Sequence, residues 1–223
     1  MTTWGTIKDE IQGIIEESDF KSGGDHEAYL LEYANDIVLG IANVVDFDRH
    51  LKSGTMTLDT STHIFDLPSD FLKKSRTTEF YVGTQYFIPL TSRERINSID
   101  PDHSEITASV SGPSLIAFEK SRIHVYAKWA GTLSIQDYYS IPTEMVDITD
   151  TPDLVSAGIA DDRLIKQILV DGVLARVYDK WLKELALARP LYESAALKIQ
   201  KLYGEMDPDM TAETHVRSSY SGI

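Results

Sequence analysis

Trp4, Ile7, Ile11, Ile14 and Ile15 recur at three- and four-residue steps, and Leu30, Leu31, Ala34, Ile37, Val38, Ile41 and Val45 repeat the pattern. Such spacing puts apolar side chains on one face of a helix, so the first fifty residues read as a helix pair. "KSGGDH" separates the two: Gly23-Gly24 ends the first, and Asp25 is placed to cap the second. From about 54 to 142 the period falls to two, with Gly, Pro, Ser and Asp at the breaks, as in a run of strands. Met56 and Leu58, then Phe65 and Leu67, alternate about a polar turn at 59–62 and predict a hairpin. "EFYVGTQYFIPL" predicts a second one, turning at Gly83-Thr84.

Thr91 and Glu94 have capping-box spacing and predict a short helix to about Ser98. Strands are expected at 114–119, 122–128 and 132–139. Beyond the acidic connector "VDITDTPDLVSAGIADD", Leu174, Val177, Tyr178, Trp181, Leu182 and Leu185 form one stripe. They predict the longest helix of the chain, Asp161 to Ala188, ended by Arg189-Pro190, with Pro190 opening a further helix to about Tyr203. The last stretch, "DPDMTAETHVRSSYSGI", has no period and little apolar content, so it is expected to be unfolded alone and to order on a partner.

These elements define an α+β fold. A helical bundle, made of the N-terminal helix pair and the long C-terminal helix, carries an inserted antiparallel β unit and an extended C-terminal tail. The expected boundaries are 1–50 with 155–205 for the helical domain, 54–145 for the insertion and 206–223 for the tail.

Composition narrows what this fold is for. The 223 residues are 42% hydrophobic, enough for a substantial core, and the formal charge is −14. A surface that grips nucleic acid by neutralising phosphates is usually basic, so tight DNA binding is disfavoured. An acidic wall lets DNA pass without sticking. Charge is also unevenly spread: residues 1–50 hold eleven acidic and three basic side chains, and residues 161–204 six acidic and eight basic. With no cysteine, disulfides, thiolate metal sites and thiol nucleophiles are excluded. "MTTWGTIKDEIQGIIEESDF" has no basic start or continuous apolar run, and no stretch approaches a membrane span, so a soluble, unsecreted protein is expected.

Motifs for chemistry are missing. The six histidines show no metal-ligand spacing, and His63 and His124 read as surface residues of strands. No phosphate-binding loop or nucleophile elbow is present. "DPDHSE" at 100–105 and "DITDTPD" at 147–153 lack the glycine and bidentate glutamate of a calcium loop and read as solvated turns. Basic side chains at 163, 166, 176, 180 and 183 read as a charged helix face balancing neighbouring carboxylates, the alternative being a phosphate or an acidic partner. No cofactor is expected.

One order of motifs remains. Phe65, Leu67, Pro68, Asp70 and Phe71 form an aromatic-x-LP-x-DF element, followed by a strand ending in Tyr138, Tyr139 and Pro142, and then by the long C-terminal helix. In this order the chain resembles the head-to-tail adaptor proteins of tailed bacteriophages, most of all the P22-like adaptors and more loosely the T7-like tail tubular protein. Phe65 stands where tyrosine is usual, and the insertion is larger than the simplest adaptors need.

The resemblance implies a structural virion protein and no enzyme. Its place would be the head–tail interface, reached from the host cytoplasm during assembly. It implies a ring of about twelve copies closed by a heterologous interface. The implied partners are the portal protein, a tail, nozzle or gatekeeper protein, and DNA that passes through the channel without specific binding; no membrane is involved. Arg217, Tyr220 and Ile223 of the tail are the candidate portal contacts. The alternatives are another neck or tail completion protein, such as a gatekeeper or baseplate component, and an acidic-site cell-wall hydrolase using Glu16, Glu17 or Asp36.

Overall fold

The computed structural model describes residues 2–83, 86–102, 112–154 and 162–206. It divides into two compact units, one of residues 1–48 and 142–223, the other of residues 49–141.

In the first unit, α1 (Trp4–Ile14) and α2 (Glu27–Val44) follow the predicted pair. Thr3 caps α1, its hydroxyl accepting from the Thr6 amide. Asp25 does not cap α2; His26 holds that position without a side-chain hydrogen bond. Gly23 takes φ +80°, and a β-carbon on Gly24 would lie 2.2 Å from the Asp19 carbonyl oxygen, so the glycine pair serves the turn between the helices.

α4 (Asp162–Val177) packs against α1, α2 and α5 and is buried nearly all round, with Leu164, Ile165, Ile168, Leu169, Val173 and Leu174 inside. Gly172 lets α2 approach closely, since a β-carbon there would lie 2.7 Å from Ile37 Cδ1.

The expected helix from 161 to 188 is broken earlier. α4 runs into a π-helical turn, Tyr178–Leu182, and Lys183 then adopts φ 57°. The Glu184 amide reaches back to the Tyr178 carbonyl at 2.8 Å, the wrap-around bond that closes a helix through a left-handed residue. Lysine fills a place usually held by glycine, so nothing in the sequence marks the stop. α5 (Leu185–Met206) begins at once and contains Pro190, the residue expected to separate two helices. Proline costs α5 one backbone bond near its start, where Ala186, Leu187 and Pro190 are exposed and water can replace it. α5 rests on α4 through a narrow stripe of Ala188, Ala195 and Leu202, seven residues apart.

The second unit contains two four-stranded sheets. One has the order β1 (Leu51–Leu58), β8 (Gly131–Ser140), β3 (Phe71–Val82), β4 (Tyr86–Ile88). The other has the order β2 (Ile64–Asp66), β7 (Arg122–Tyr126), β6 (Leu115–Glu119), β5 (Leu90–Thr91). Met56, Leu58, Phe80, Leu133 and Ile135 of the first and Ile116, Ile123 and Val125 of the second form one core, so the sheets pack face to face. Among the described residues the strands of this unit pair antiparallel except for β5 and β6, which pair in parallel.

Two expected turns differ. Met56 and Leu58 do not form a hairpin with Phe65 and Leu67: β1 pairs with β8, and β2 with β7. Alternation within each strand was legible, but both stretches bury one face whichever partner they choose. β3 and β4 do form a hairpin, with Val82 opposite Tyr86, so three residues and not two connect them. Gly83 has φ +64°, and Thr84 lies outside the described residues. α3 (Arg93–Ile99) starts one residue later than the capping-box spacing suggests, with Ser92 accepting from the Arg95 amide.

Candidate functional site

The aromatic-LP-x-DF element sits where the chain passes from one sheet of the β unit to the other. β2 ends at Asp66; the Leu67 amide then donates to the Ser121 carbonyl at 2.9 Å, and Leu67 is buried in the shared core. Pro68 cannot extend the ladder, and its carbonyl accepts from the Phe71 amide at 2.9 Å, closing a turn over Ser69 and Asp70. β3 begins at Phe71 and enters the other sheet. The chain thus crosses here from one sheet to the other. Phe71 and Leu72 open the twelve-residue β3; both are half-buried, and Phe71 packs against the core.

This corner is fastened by Tyr138. Its hydroxyl donates to Asp70 Oδ1 at 2.9 Å, and its ring stacks on Phe71 with centroids 5.4 Å apart. Phe71 also stacks on Phe118 at 6.0 Å, while Phe65 packs against the core from β2. Burial, reinforced by the hydrogen bond to Asp70, pushes the Tyr138 hydroxyl up to about 12.

A bulge in β8 puts Tyr138 there. Strict alternation from Leu133 and Ile135 would point residue 137 inward; Asp137, at φ 55°, is the extra residue, and Tyr138 takes the inward place. Thr78 Oγ1 secures the bulge by donating to the Asp137 carbonyl at 2.7 Å. Gly54 makes room: a β-carbon there would lie 3.0 Å from the Tyr138 hydroxyl. Tyr139 is buried beside Lys73, whose ammonium lies 5.2 Å from the ring centroid. Pro142 is buried in the helical unit. The structure thus joins Asp70 and Phe71 to Tyr138, a tie that counting by twos hides. The corner offers fixed geometry and no reacting group.

His124, expected on a strand surface, is buried at 1% exposure. β7 is covered on both faces, by the sandwich core and by α3, which packs on β6 and β7. Its Nε2 lies 2.5 Å from Glu119, and Arg93 at the start of α3 also reaches Glu119. His63 precedes β2 and lies 6.0 Å from the His124 ring.

In the helical unit, two basic residues of α4 are paired with carboxylates: Lys166 with Glu10, and Arg176 with Asp36 at 2.7 Å. Arg176 and Lys180 also lie over the Tyr33 ring, at 5.5 and 5.0 Å. Trp181, placed by the π turn, donates its indole N–H to the Tyr33 hydroxyl at 2.9 Å and packs on His26 and Tyr29. The acidic connector serves the backbone. Asp150 accepts from the Val146 and Asp147 amides, and Asp153 from the Thr143 amide, each at 2.7 Å. These bonds hold the Asp150 carboxyl below its ordinary range.

Among the described residues no group of three or more His, Asp or Glu side chains comes together to hold a metal ion, and no helix is long and apolar enough to cross a membrane. His103 to Glu105 of "DPDHSE", and the tail with Arg217, Tyr220 and Ile223, lie outside the described residues.

A comparison with curated proteins finds no match. A family profile described as SU10 adaptor protein matches residues 2–218, nearly the whole chain, including both units and the corner. The chain therefore belongs to the SU10 adaptor protein family and is a structural adaptor protein of a bacteriophage.

Proposed function

We propose that the protein is a head-to-tail adaptor whose copies close into a ring under the portal, extend the DNA channel and offer the tail its docking surface. The observation that carries this reading is the family match over residues 2–218, which takes in the helical unit, the β unit and most of the polar tail. In this reading the helical domain, 1–50 with 155–205, forms the ring wall, and the β insertion, 54–145, is carried on it. The tail, 206–223, with Arg217, Tyr220 and Ile223, orders against the portal, its ordering cost included in the binding step. The ring holds about twelve copies joined head to tail. The P22-like character drawn from the motif order belongs to the same proposal.

Charge supports the channel role. A chain of net charge −14 repels duplex DNA and lets it slide. The hydrolase alternative gains no support from Asp36, which is held by Arg176 at 2.7 Å.

Negative-stain microscopy of the protein mixed with purified portal rings tests the proposal. The expected image is an added ring on one face of the portal. Unaltered portal rings, together with binding to tail tubes, would replace it with the tail-completion reading.

A further inference from the structure

The stop between α4 and α5 runs against its own sequence. From Val177 to Ala188 the chain reads VYDKWLKELALA, rich in the helix formers Leu, Ala, Lys and Glu and free of glycine and proline. Yet Lys183 turns left-handed at φ 57° and ψ 28°, a conformation that costs any residue with a β-carbon. The π turn just before it, Tyr178–Leu182, is a second departure from the α form. Local preference and tertiary arrangement disagree over these few residues, and such conflicts belong to strained or functional sites.

α5 is also lightly attached. It packs on α4 and on the π turn, and among its described residues only Ala188, Ala195 and Leu202 are buried. Clefts flank that contact on both sides, about 330 Å³ against α2 and about 540 Å³ against α1. Polar bonds supply the fastening. Ser194 Oγ donates to Asp171 Oδ2 at 2.7 Å, Lys198 pairs with the same carboxylate at 2.5 Å, and the Tyr192 hydroxyl donates to Asp179 at 3.3 Å. The Asp171 side chain is 16% exposed, so it needs these donors whichever copy of the chain supplies them.

We propose that α5 is exchanged between copies: the stop at Lys183 opens, α4 and α5 run on as one helix, and α5 of each copy seats on α4 of the next. Identity fixes the occupant. A second copy brings the same Ala188, Ala195 and Leu202 stripe, and the same Ser194 and Lys198 for Asp171, so the contact needs no new complementarity. A two-residue hinge under strain, Lys183-Glu184, is where such an exchange starts. Opening relieves the left-handed turn. Pro190 adds no cost, because Ala186, the carbonyl it leaves without a bond, already lies within α5. Continuous from Asp162 to Met206, the helix spans about 67 Å at 1.5 Å per residue, which places α5 beyond the end of its own α4. Passed from copy to copy, the exchange is a head-to-tail contact and closes into a ring when the rotation allows. It rests on the ring reading above and names the element that joins its members.

The absence of cysteine makes the test direct. Asp171→Cys with Ser194→Cys places two thiols across the α4–α5 contact. Oxidation of the free double variant is expected to bridge α4 and α5 of one chain and leave a monomer band on a non-reducing gel. Oxidation of phage particles carrying it is expected to give a ladder of linked multimers, because each bridge then spans two copies. A monomer band alone from the oxidised particles overturns the exchange. Wild-type particles treated with an amine cross-linker separate this from failure of the ring: a ladder of adaptor multimers leaves the ring standing, and its absence overturns the ring itself. Lys183→Gly gives a readout without cysteine, should the double variant fail to enter particles. Glycine removes the cost of the left-handed turn and adds one to the continuous helix, so incorporation into particles is expected to fall about tenfold while the free protein melts at a higher temperature. Lys183→Ala is expected to enter particles at the wild-type level. Incorporation of Lys183→Gly at that same level overturns the exchange.

Discussion

Replacing Tyr138 by phenylalanine removes one hydroxyl from the corner and leaves the ring that stacks on Phe71. A hydrogen bond to a charged acceptor is worth about 1.5–3 kcal/mol, but Asp70 is 42% exposed on its side chain and water takes over part of the bond. The expected cost at neutral pH is therefore about 1 kcal/mol. Alkaline pH reverses the sign. The folded-state value of about 12 lies above the ordinary value of 10.0, so folding favours the protonated phenol. That contribution is complete below pH 10, is lost as pH rises to 12, and amounts in full to about 2.7 kcal/mol. At pH 11 the wild type has lost about 1.4 kcal/mol of it, and the variant, with no phenol to titrate, has lost none. The two stability curves should cross close to pH 11. Urea unfolding of both full-length proteins across this range measures the difference, from which the other tyrosines and the lysines cancel. The difference in tyrosinate absorbance between the two folded proteins reports the Tyr138 midpoint directly. A phenol titrating near 10, or curves that stay parallel, would refute the account of the corner.

Asn35 clasps the Met145 backbone with two 3.0 Å bonds. Asn35→Ala removes both and should destabilise the helical unit by about 2 kcal/mol, measured as a lower urea midpoint. Asn35→Asp should recover part of the loss, because its oxygen still accepts from the Met145 amide. Pro190→Ala restores a backbone bond within α5 at an exposed position and should stabilise the protein by about 1–3 kcal/mol, read as a higher midpoint for that unit; a lower midpoint would mean that packing of the Pro190 ring outweighs the recovered bond. Deleting residues 207–223 should leave the circular dichroism spectrum and melting temperature nearly unchanged and abolish cosedimentation with portal rings. Retained cosedimentation would remove the tail from the portal contact.

Much of the α and β order was legible because burial imposes a period. Ile7 and Ile11, or Leu133 and Ile135, have one way to bury together, and the helices and strands around them followed. Breaks were legible only where glycine or proline marked them. The stop at Lys183 carries no such mark, since a left-handed lysine is held there by the wrap-around bond from Glu184 and by the packing of Trp181 on His26 and Tyr29. Pro190 misled for the converse reason: an exposed first part of a helix tolerates the missing N–H. Likewise His124 alternates with Ile123 and Val125 as a surface residue would, and only the position of α3 makes it buried.

The sequence by itself determined the α+β composition, the alternation of apolar residues within each strand, the acidic front and a motif order that resembles phage adaptors. Those are properties of neighbours along the chain, where local period and charge suffice. The tertiary structure decided which strands pair, that the LP-x-DF corner joins two sheets, and that the bulge at Asp137 brings Tyr138 to Asp70. Residues 70 and 138 are distant in sequence, and one inserted residue in β8 reverses which side chains face the core. No period within a single strand can report that, because inward and outward are defined only by the sheet packed against it.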